Sequence, residues 1–351
     1  MENIEEKIIL NNENANKDPK AALSSLIEKG INIRLNEEMS KHCTYKVGGP
    51  ADFFYLVDNL EDLKEVLEWA KEFAIEVTVI GLGSNLLISD KGIRGLVIAF
   101  AENFSKIGFL RALPSPDFDG LISAEANLIE TADKLDLDND DVDVYIYSEA
   151  GAALKELSKF ATNNSMTGLE YSCGIPGSVG GGVYMNAGAY GRMTADTCVQ
   201  TYYLSPELKL KVAKGEEQEF AYRESIFHKE HGIILASIFK VNKGEQELIN
   251  SMVADLTNRR NASQPLEYPS CGSVFKRPEG YFAGKLIMDS NLKGFRVGGA
   301  EVSEKHAGFI INVDNAKAAD VLAVIRHVQE TVKKDHGVDL ETEVRIIGEW
   351  E

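Results

Sequence analysis

Gly168-Leu-Glu-Tyr-Ser-Cys-Gly-Ile-Pro-Gly-Ser-Val-Gly-Gly-Gly-Val-Tyr-Met-Asn-Ala-Gly-Ala-Tyr-Gly191 places 8 glycines in 24 residues. Glycine is costly inside a regular helix or strand, about 0.5–1 kcal/mol relative to alanine at each interior position. Glycine at this density marks backbone that must adopt positive φ or come very close to something else. Two more such clusters lie upstream, Thr44-Tyr-Lys-Val-Gly-Gly-Pro-Ala-Asp52 and Gly81-Leu-Gly-Ser-Asn-Leu-Leu-Ile88. Successive N–H groups in loops of this kind form a concave anion site. Ser84, Ser178 and Asn186 add short hydroxyl and amide donors. Any one loop reads as a tight turn. Three together, on separated strand ends, suggest one large cofactor carrying a diphosphate.

The sequence around these loops alternates strand and helix. Ala51 to Val57 is β-rich, and Leu60, Leu63, Leu67, Ala70 and Ala74 share a helical face. Val77 to Ile80 reads as a short buried strand running into Gly81, and Leu96 to Phe100 as another. Beyond residue 143 the pattern predicts a strand from Val144 to Tyr147, a helix from Ala152 to about Asn163, and strands near 198–213 and 233–241. A helix is marked by Leu248, Met252 and Leu256. A stronger one carries Val321, Ile325, Val328 and Val332 and stops at Gly337. Glu343 to Gly348 closes as a strand. Near the start, Lys20 to Lys29 reads as a short helix with Leu23, Leu26 and Ile27 on one side, and residues 1–19 as a mobile tail. Residues 111–143 break the rhythm with ten acidic residues against only Arg111 and Lys134, which predicts an inserted surface excursion.

The 351 residues carry 37 Lys and Arg against 55 Asp and Glu, a formal charge of −18. That balance argues against a phosphate backbone as the main partner, so no nucleic acid is expected. No apolar run approaches the ~20 residues that span a bilayer, so no membrane partner is expected. Met1 to Lys20 lacks the apolar core of a signal peptide. The four cysteines, Cys43, Cys173, Cys198 and Cys271, form no CxxC pair and fit a reduced, cytoplasmic setting.

Several motifs fail on a residue. Leu86 stands where a dinucleotide fingerprint needs its third glycine, and Leu286 follows Gly284-Lys285 where a P-loop needs Ser or Thr. Asp136 to Tyr147 lacks the glycine and the final glutamate of a calcium loop. His228 and His231 lack the HExxH order, so no metal is expected. Pro176 spoils a nucleophile elbow at Pro176-Gly-Ser-Val-Gly180. The C-terminal part holds a different group. Arg259-Arg260 and Gln264-Pro265 precede Pro269-Ser-Cys-Gly-Ser-Val-Phe-Lys-Arg277, which sets the Ser273 hydroxyl among cations, where it could give a proton to a carbanion. Glu343 and Arg345, two apart on a strand, face one side.

In order along the chain, Thr44 to Asp52, Gly81 to Asn85, Gly174 to Gly181, Met185 to Gly191, Tyr222-Arg-Glu-Ser225, Pro269 to Phe275 and Lys305-His-Ala-Gly-Phe309 resemble the UDP-N-acetylenolpyruvoylglucosamine reductase (MurB) family of bacterial cell-wall synthesis, in the form lacking an extra tyrosine loop. The match spans about residues 32–349, apart from the acidic segment. The resemblance implies an α+β fold with an FAD-binding module of the vanillyl-alcohol oxidase/PCMH type, itself two α+β subdomains, over 20–242 with the insert 111–143. A smaller α+β substrate domain would occupy 243–351. It implies FAD as cofactor, NADPH as co-substrate and a nucleotide-sugar substrate. The resemblance gives Tyr45, Lys46, Gly48, Gly49, Gly81, Gly83, Ser84, Asn85, Leu86, Gly174, Pro176, Gly177, Ser178, Gly180, Gly181, Asn186, Ala187 and Gly188 to the cofactor. Tyr222, Arg260, Gln264, Lys276, Lys305 and His306 go to the substrate. Ser273 is similar to the family's proton donor, and Arg223 and Glu343 to the pair that polarises a substrate carboxylate. Closure over the nucleotide would rely on other residues, such as Tyr268 or Tyr281.

Overall fold

A computed structural model describes residues 19–100, 102–114, 128–135 and 143–350. Its first unit is a four-stranded sheet in the order Ile33–Glu38, Pro50–Val57, Ile93–Phe100, Val77–Ile80. The first pair is antiparallel and the other two are parallel. Parallel strands covered on both faces read as nearly continuous apolar runs, and Ala51 to Val57 and Leu96 to Phe100 are such runs. Alternate residues serve two different cores. Phe53, Tyr55, Val57, Leu96, Ile98 and Phe100 pack with Leu63, Val66 and Leu67 of the helix Leu60–Glu72. Ala51, Phe54, Val97 and Ala99 pack instead with Val321, Val324, Ile325 and Val328 of the helix Ala318–His336. The period-2 side-chain alternation of a strand thus glues the N-terminal sheet to C-terminal elements on its far face.

The second unit is a six-stranded antiparallel sheet. Its path runs Leu210–Lys214, Cys198–Leu204, Ile233–Lys243, Val144–Glu149, Ile107–Leu110, with Met166–Thr167 also paired to Ile233–Lys243. The helices Leu154–Asn163 and Val179–Tyr184 lie against it. The C-terminal part has a three-stranded sheet, Arg296–Val297, Ala300–Val302 and Ile310–Asn312, beneath the helix Ala318–His336. The chain then returns to the first unit, where Arg345–Ile347 pairs in parallel with Leu86–Ile88.

Several side chains lock this return. Asp90 Oδ1 and Oδ2 accept from the N–H groups of Ala318 and Ala319 at 2.8 and 3.0 Å, capping the long helix from another part of the chain. Asn312 Nδ2 donates to the Tyr45 carbonyl at 3.0 Å, and Thr44 Oγ1 donates to the Ser270 carbonyl at 2.7 Å.

Three expectations need correction. Part of the segment 111–143 is core, not excursion: Ile129 exchanges both backbone hydrogen bonds with Phe109 and is 9% exposed, and Leu128 and Leu135 pack beside it. Apolar residues spaced among the acids are the reason. Positions 115–127 and 136–142 lie outside the described residues, as does the tail before residue 19. On the helix Gln246–Ser263 the inward residues are Ile249 and Leu256, whereas Leu248 and Met252 are 63% and 49% exposed. On the helix Pro19–Glu28 Leu23 and Leu26 are buried, but Ile27 is 58% exposed.

Candidate active site

The glycine loops interlock before they bind anything. Ser84 Oγ donates to the Pro176 carbonyl at 2.8 Å, and a Cβ on Gly81 would lie 2.2 Å from Ser178 Oγ. Ser178 caps the short helix Val179–Tyr184 by accepting from Gly181 N–H. Between these loops and the C-terminal elements lies a cavity of about 550 Å³, a size suited to a cofactor or drug-sized ligand. Gly81, Gly83, Ser84, Asn85, Leu86, Pro176, Gly177, Ser178, Gly180, Gly181, Ala187 and Gly188 all border it, as the sequence reading expects of cofactor residues.

Other residues assigned to the cofactor stand behind the wall. Tyr45 is fully buried, Lys46 is exposed, and neither borders the cavity. A Cβ on Gly49 would sit 2.1 Å from the Asp90 carbonyl oxygen, so that glycine is dictated by chain packing. Gly48 likewise packs against Ile88, and Gly174 against the Arg260 side chain. Asn186 Nδ2 donates to the Ala221 carbonyl at 2.8 Å and its Oδ1 accepts from Ala195 N–H at 3.0 Å. Its side chain therefore secures a turn instead of facing a ligand.

That turn carries Arg223. Ala221 and Glu224 bond each other's backbone, and Arg223 between them has φ +59°. A non-glycine residue in this conformation is strained by about 1–3 kcal/mol, a cost that clusters at functional sites. The turn aims the guanidinium across the cavity, where Nε donates to Glu343 Oε1 at 2.6 Å. Ser273 is placed by a bridge to Phe309 and by Val274 N–H bonded to the Gly308 carbonyl at 2.9 Å. The Val274 carbonyl in turn accepts from Glu343 N–H at 2.7 Å. Ser273, Arg223 and Glu343 are 50 residues or more apart in sequence and all border the one cavity.

Arg345 joins them. Its Nη1 donates to Tyr184 Oη at 3.1 Å, and its guanidinium carbon lies 5.4 Å from the centre of that ring. Tyr184 stacks at 4.0 Å on His228, which burial and the neighbouring Arg345 hold down at about 4. In the sequence, Arg345 is marked only by sharing a side of the strand with Glu343. Nothing in it identified Tyr184, whose signal is just a ring within the glycine stretch.

Of the expected substrate residues, Arg260 and Gln264 border the cavity. Gln264 Oε1 is buried with no hydrogen-bond partner among the described residues, and burial lowers the pKa of Arg260. A buried amide oxygen without a donor, beside a desolvated cation, fits a polar ligand that completes both. Tyr222, Lys276, Lys305 and His306 do not border the cavity. Tyr222 Oη accepts from Arg277 N–H, Lys276 faces Glu341, and Lys305 Nζ donates to the Asn261 carbonyl. His306 Nδ1 accepts from Gly308 N–H, and burial lowers its pKa. Tyr268 and Tyr281 are exposed and also lie outside the cavity wall. Burial pushes the Cys271 thiol up, which removes the thiolate that a nucleophile would need. No group of three or more metal-ligating side chains occurs among the described residues. No helix among them is long and apolar enough to cross a membrane.

Comparison with known proteins gives the site a setting. Residues 264–347 match the family profile described as UDP-N-acetylenolpyruvoylglucosamine reductase, C-terminal domain, and residues 127–207 match one described as FAD binding domain. The UDP-N-acetylenolpyruvoylglucosamine reductase of Streptococcus uberis is 45% identical over 92% of this chain and 95% of its own length. That of Staphylococcus aureus is 43% identical over 95% and 98%. Among solved structures, the reductase of Thermus caldophilus superposes with a TM-score of 0.68 at 30% identity, covering 90% of this chain and 98% of that one.

Proposed function

We propose that this chain, which belongs to the UDP-N-acetylenolpyruvoylglucosamine reductase family, reduces the enolpyruvyl ether of UDP-N-acetylglucosamine to UDP-N-acetylmuramate with NADPH as electron source. The cofactor of the family is FAD, and the cavity suits it: loops Gly81–Leu86 and Pro176–Gly181 would hold its diphosphate. Bound there, FAD would supply the hydride-transfer chemistry that links NADPH to the substrate.

The chain's own residues do the rest. Arg223 and Arg345 supply planar forks for a carboxylate and for the charge that develops on it. Glu343 orients Arg223 through the 2.6 Å bond. Ser273 faces the cavity and donates its proton to C2 of the enolate. Arg260 and Gln264 take polar groups of the nucleotide sugar, and Gln264 Oε1 gains the donor it lacks. The observation that carries this reading is the convergence of Ser273, Arg223 and Glu343 on the cavity that the glycine loops line. An oxidase of the same cofactor fold has no enolate to protonate and no use for that trio. This reading includes a cytoplasmic location, which the four free cysteines fit.

The test is anaerobic. Purified protein is mixed with NADPH and then with UDP-N-acetylglucosamine enolpyruvate while the flavin band is followed. Bleaching by NADPH and recovery on adding substrate is the expected result. Recovery only on admitting air would mark an oxidase or a crippled reductase, and the reductase reading would fall.

A further inference from the structure

We propose that Asn85 is a positioning residue for the reaction: its side-chain amide holds the peptide of Glu343, so that one loop both borders the cofactor cavity and aims the carboxylate. Resting on the proposed reductase reading, the inference gives Asn85 a role separate from contact with the cofactor.

Glu343 has no regular secondary structure of its own, because the strand begins only at Arg345. A residue outside a ladder must be fixed by other bonds if its side chain is to point reproducibly. Both ends of its peptide environment are taken. Its N–H donates to the Val274 carbonyl at 2.7 Å, next to Ser273. Its carbonyl accepts from Asn85 Nδ2 at 3.0 Å. Asn85 also uses its backbone here, because its carbonyl accepts from Arg345 N–H at 3.0 Å. One residue of the glycine loop therefore grips the chain on both sides of Val344, between the two groups that aim at the substrate carboxylate. The pairing of Arg345 with Leu86 continues this grip into the parallel strand pair.

Removing the Asn85 amide leaves the backbone bond to Arg345 and the strand pair in place. What is lost is the restraint on the Glu343 carbonyl, and with it the register of Glu343 against Arg223 and Ser273. A misplacement of about 1 Å can slow a reaction by ~10²-fold, so we expect a slowing of about 10- to 100-fold.

The experiment uses full-length protein saturated with FAD, with two variants. Asn85→Ala removes the amide, and Asn85→Asp keeps its shape but not its donor. Each is made with Glu343 and with Glu343→Gln. Four quantities are read: FAD affinity by flavin fluorescence, bleaching rate with NADPH, limiting rate of recovery, and half-saturating substrate concentration. Expected for both variants, once saturated with FAD, are a limiting recovery rate 10- to 100-fold lower and an unmoved half-saturating concentration, with FAD affinity and bleaching read to separate loss of cofactor from loss of positioning. In the Glu343→Gln background the same change should slow recovery by less than about threefold, because the two groups act as a unit. Equal slowing in both backgrounds would overturn the proposal and leave Asn85 as a cofactor contact. So would weaker FAD binding with normal recovery in the loaded protein. If the parent protein itself fails to recover on adding substrate, the reductase reading falls and this inference falls with it.

Discussion

Replacing Ser273 with alanine separates catalysis from folding sharply, because the structure assigns its hydroxyl no structural task. Ser273 is exposed to the cavity, and among the described residues its side chain bonds to nothing. Its position is set by backbone contacts alone: the Phe309 bridge, Val274 N–H on the Gly308 carbonyl, and Glu343 N–H on the Val274 carbonyl. Alanine preserves all of these. Folding stability should therefore stay within about 0.5 kcal/mol, the usual range for a substitution that breaks no special interaction. On the proposed reading, the reaction loses its proton donor. A positioned general acid contributes ~10²- to 10⁴-fold, which is about 3–5 kcal/mol of barrier at 1.36 kcal/mol per decade. The assay is single-turnover recovery of the flavin band, with enolpyruvyl substrate mixed anaerobically into NADPH-reduced protein. Recovery should slow by two to four decades while bleaching by NADPH and the urea midpoint do not move. Recovery within threefold of the parent rate would remove Ser273 from the proton transfer. A large fall in the urea midpoint would refute the claim that backbone alone places it.

Three further expectations concern stability. Asp90→Ala deletes the acceptor for the N–H groups of Ala318 and Ala319, and should cost about 1–2 kcal/mol in urea unfolding; an unchanged midpoint would show that water replaces the cap. Gly49→Ala forces a Cβ to within 2.1 Å of the Asp90 backbone oxygen, and overpacking against backbone should cost 1–3 kcal/mol or more, read as a lowered thermal midpoint. Desolvation, with the Arg345 charge behind it, depresses His228 from 6.5 to about 4. The unfolded chain thus takes up a proton between pH 6.5 and 4 that the folded chain refuses. Stability attributable to His228 is full above pH 6.5 and falls as pH drops through that window, by about 1–2 kcal/mol because solvent screens part of the effect at this half-buried ring. His228→Gln should flatten this part of the stability profile, and superimposable profiles would show that His228 titrates normally.

The long elements were legible because their signals are local. The runs Ala51 to Val57 and Leu96 to Phe100, the stripe Val321 to Val332 and its stop at Gly337 all appear where periodicity puts them. What periodicity could not say is which partner each face meets. Phe53 and Phe54 are adjacent in sequence and equally apolar, yet they belong to different cores. The strand Leu86–Ile88 looked like the end of a glycine loop. Its partner lies some 260 residues downstream, and a three-residue strand has no period to detect. Composition misled at 111–143, where ten acids hid Leu128, Ile129 and Leu135. A few apolar residues suffice to pin such a segment, because burial depends on where they land and not on average charge.

The site shows the same division at the level of single residues. Glycine clusters mark close approach but not what is approached. At Gly81 and Gly177 the loops meet each other while bordering the cavity, whereas at Gly49 the close neighbours are the backbone of Asp90 and Gly92. Both situations demand the same residue, so sequence groups the three loops as one site but cannot tell that the first of them, Thr44 to Asp52, stands behind the cavity wall. Side-chain donors behave likewise. Asn85 and Asn186 sit in similar motifs, and sequence gives each an amide suited to a ligand. In the fold, Asn186 ties the turn that strains Arg223, and Asn85 ties the peptide that carries Glu343. Arg223 and Glu343 are then each held through the backbone beside them by an asparagine of the glycine loops. The 2.6 Å bond between them is the point where those two supports meet. A cofactor seated on these loops consequently rests on the same backbone that sets the reacting groups, which is why the cofactor motifs and the catalytic pair belong to one unit despite their distance in sequence.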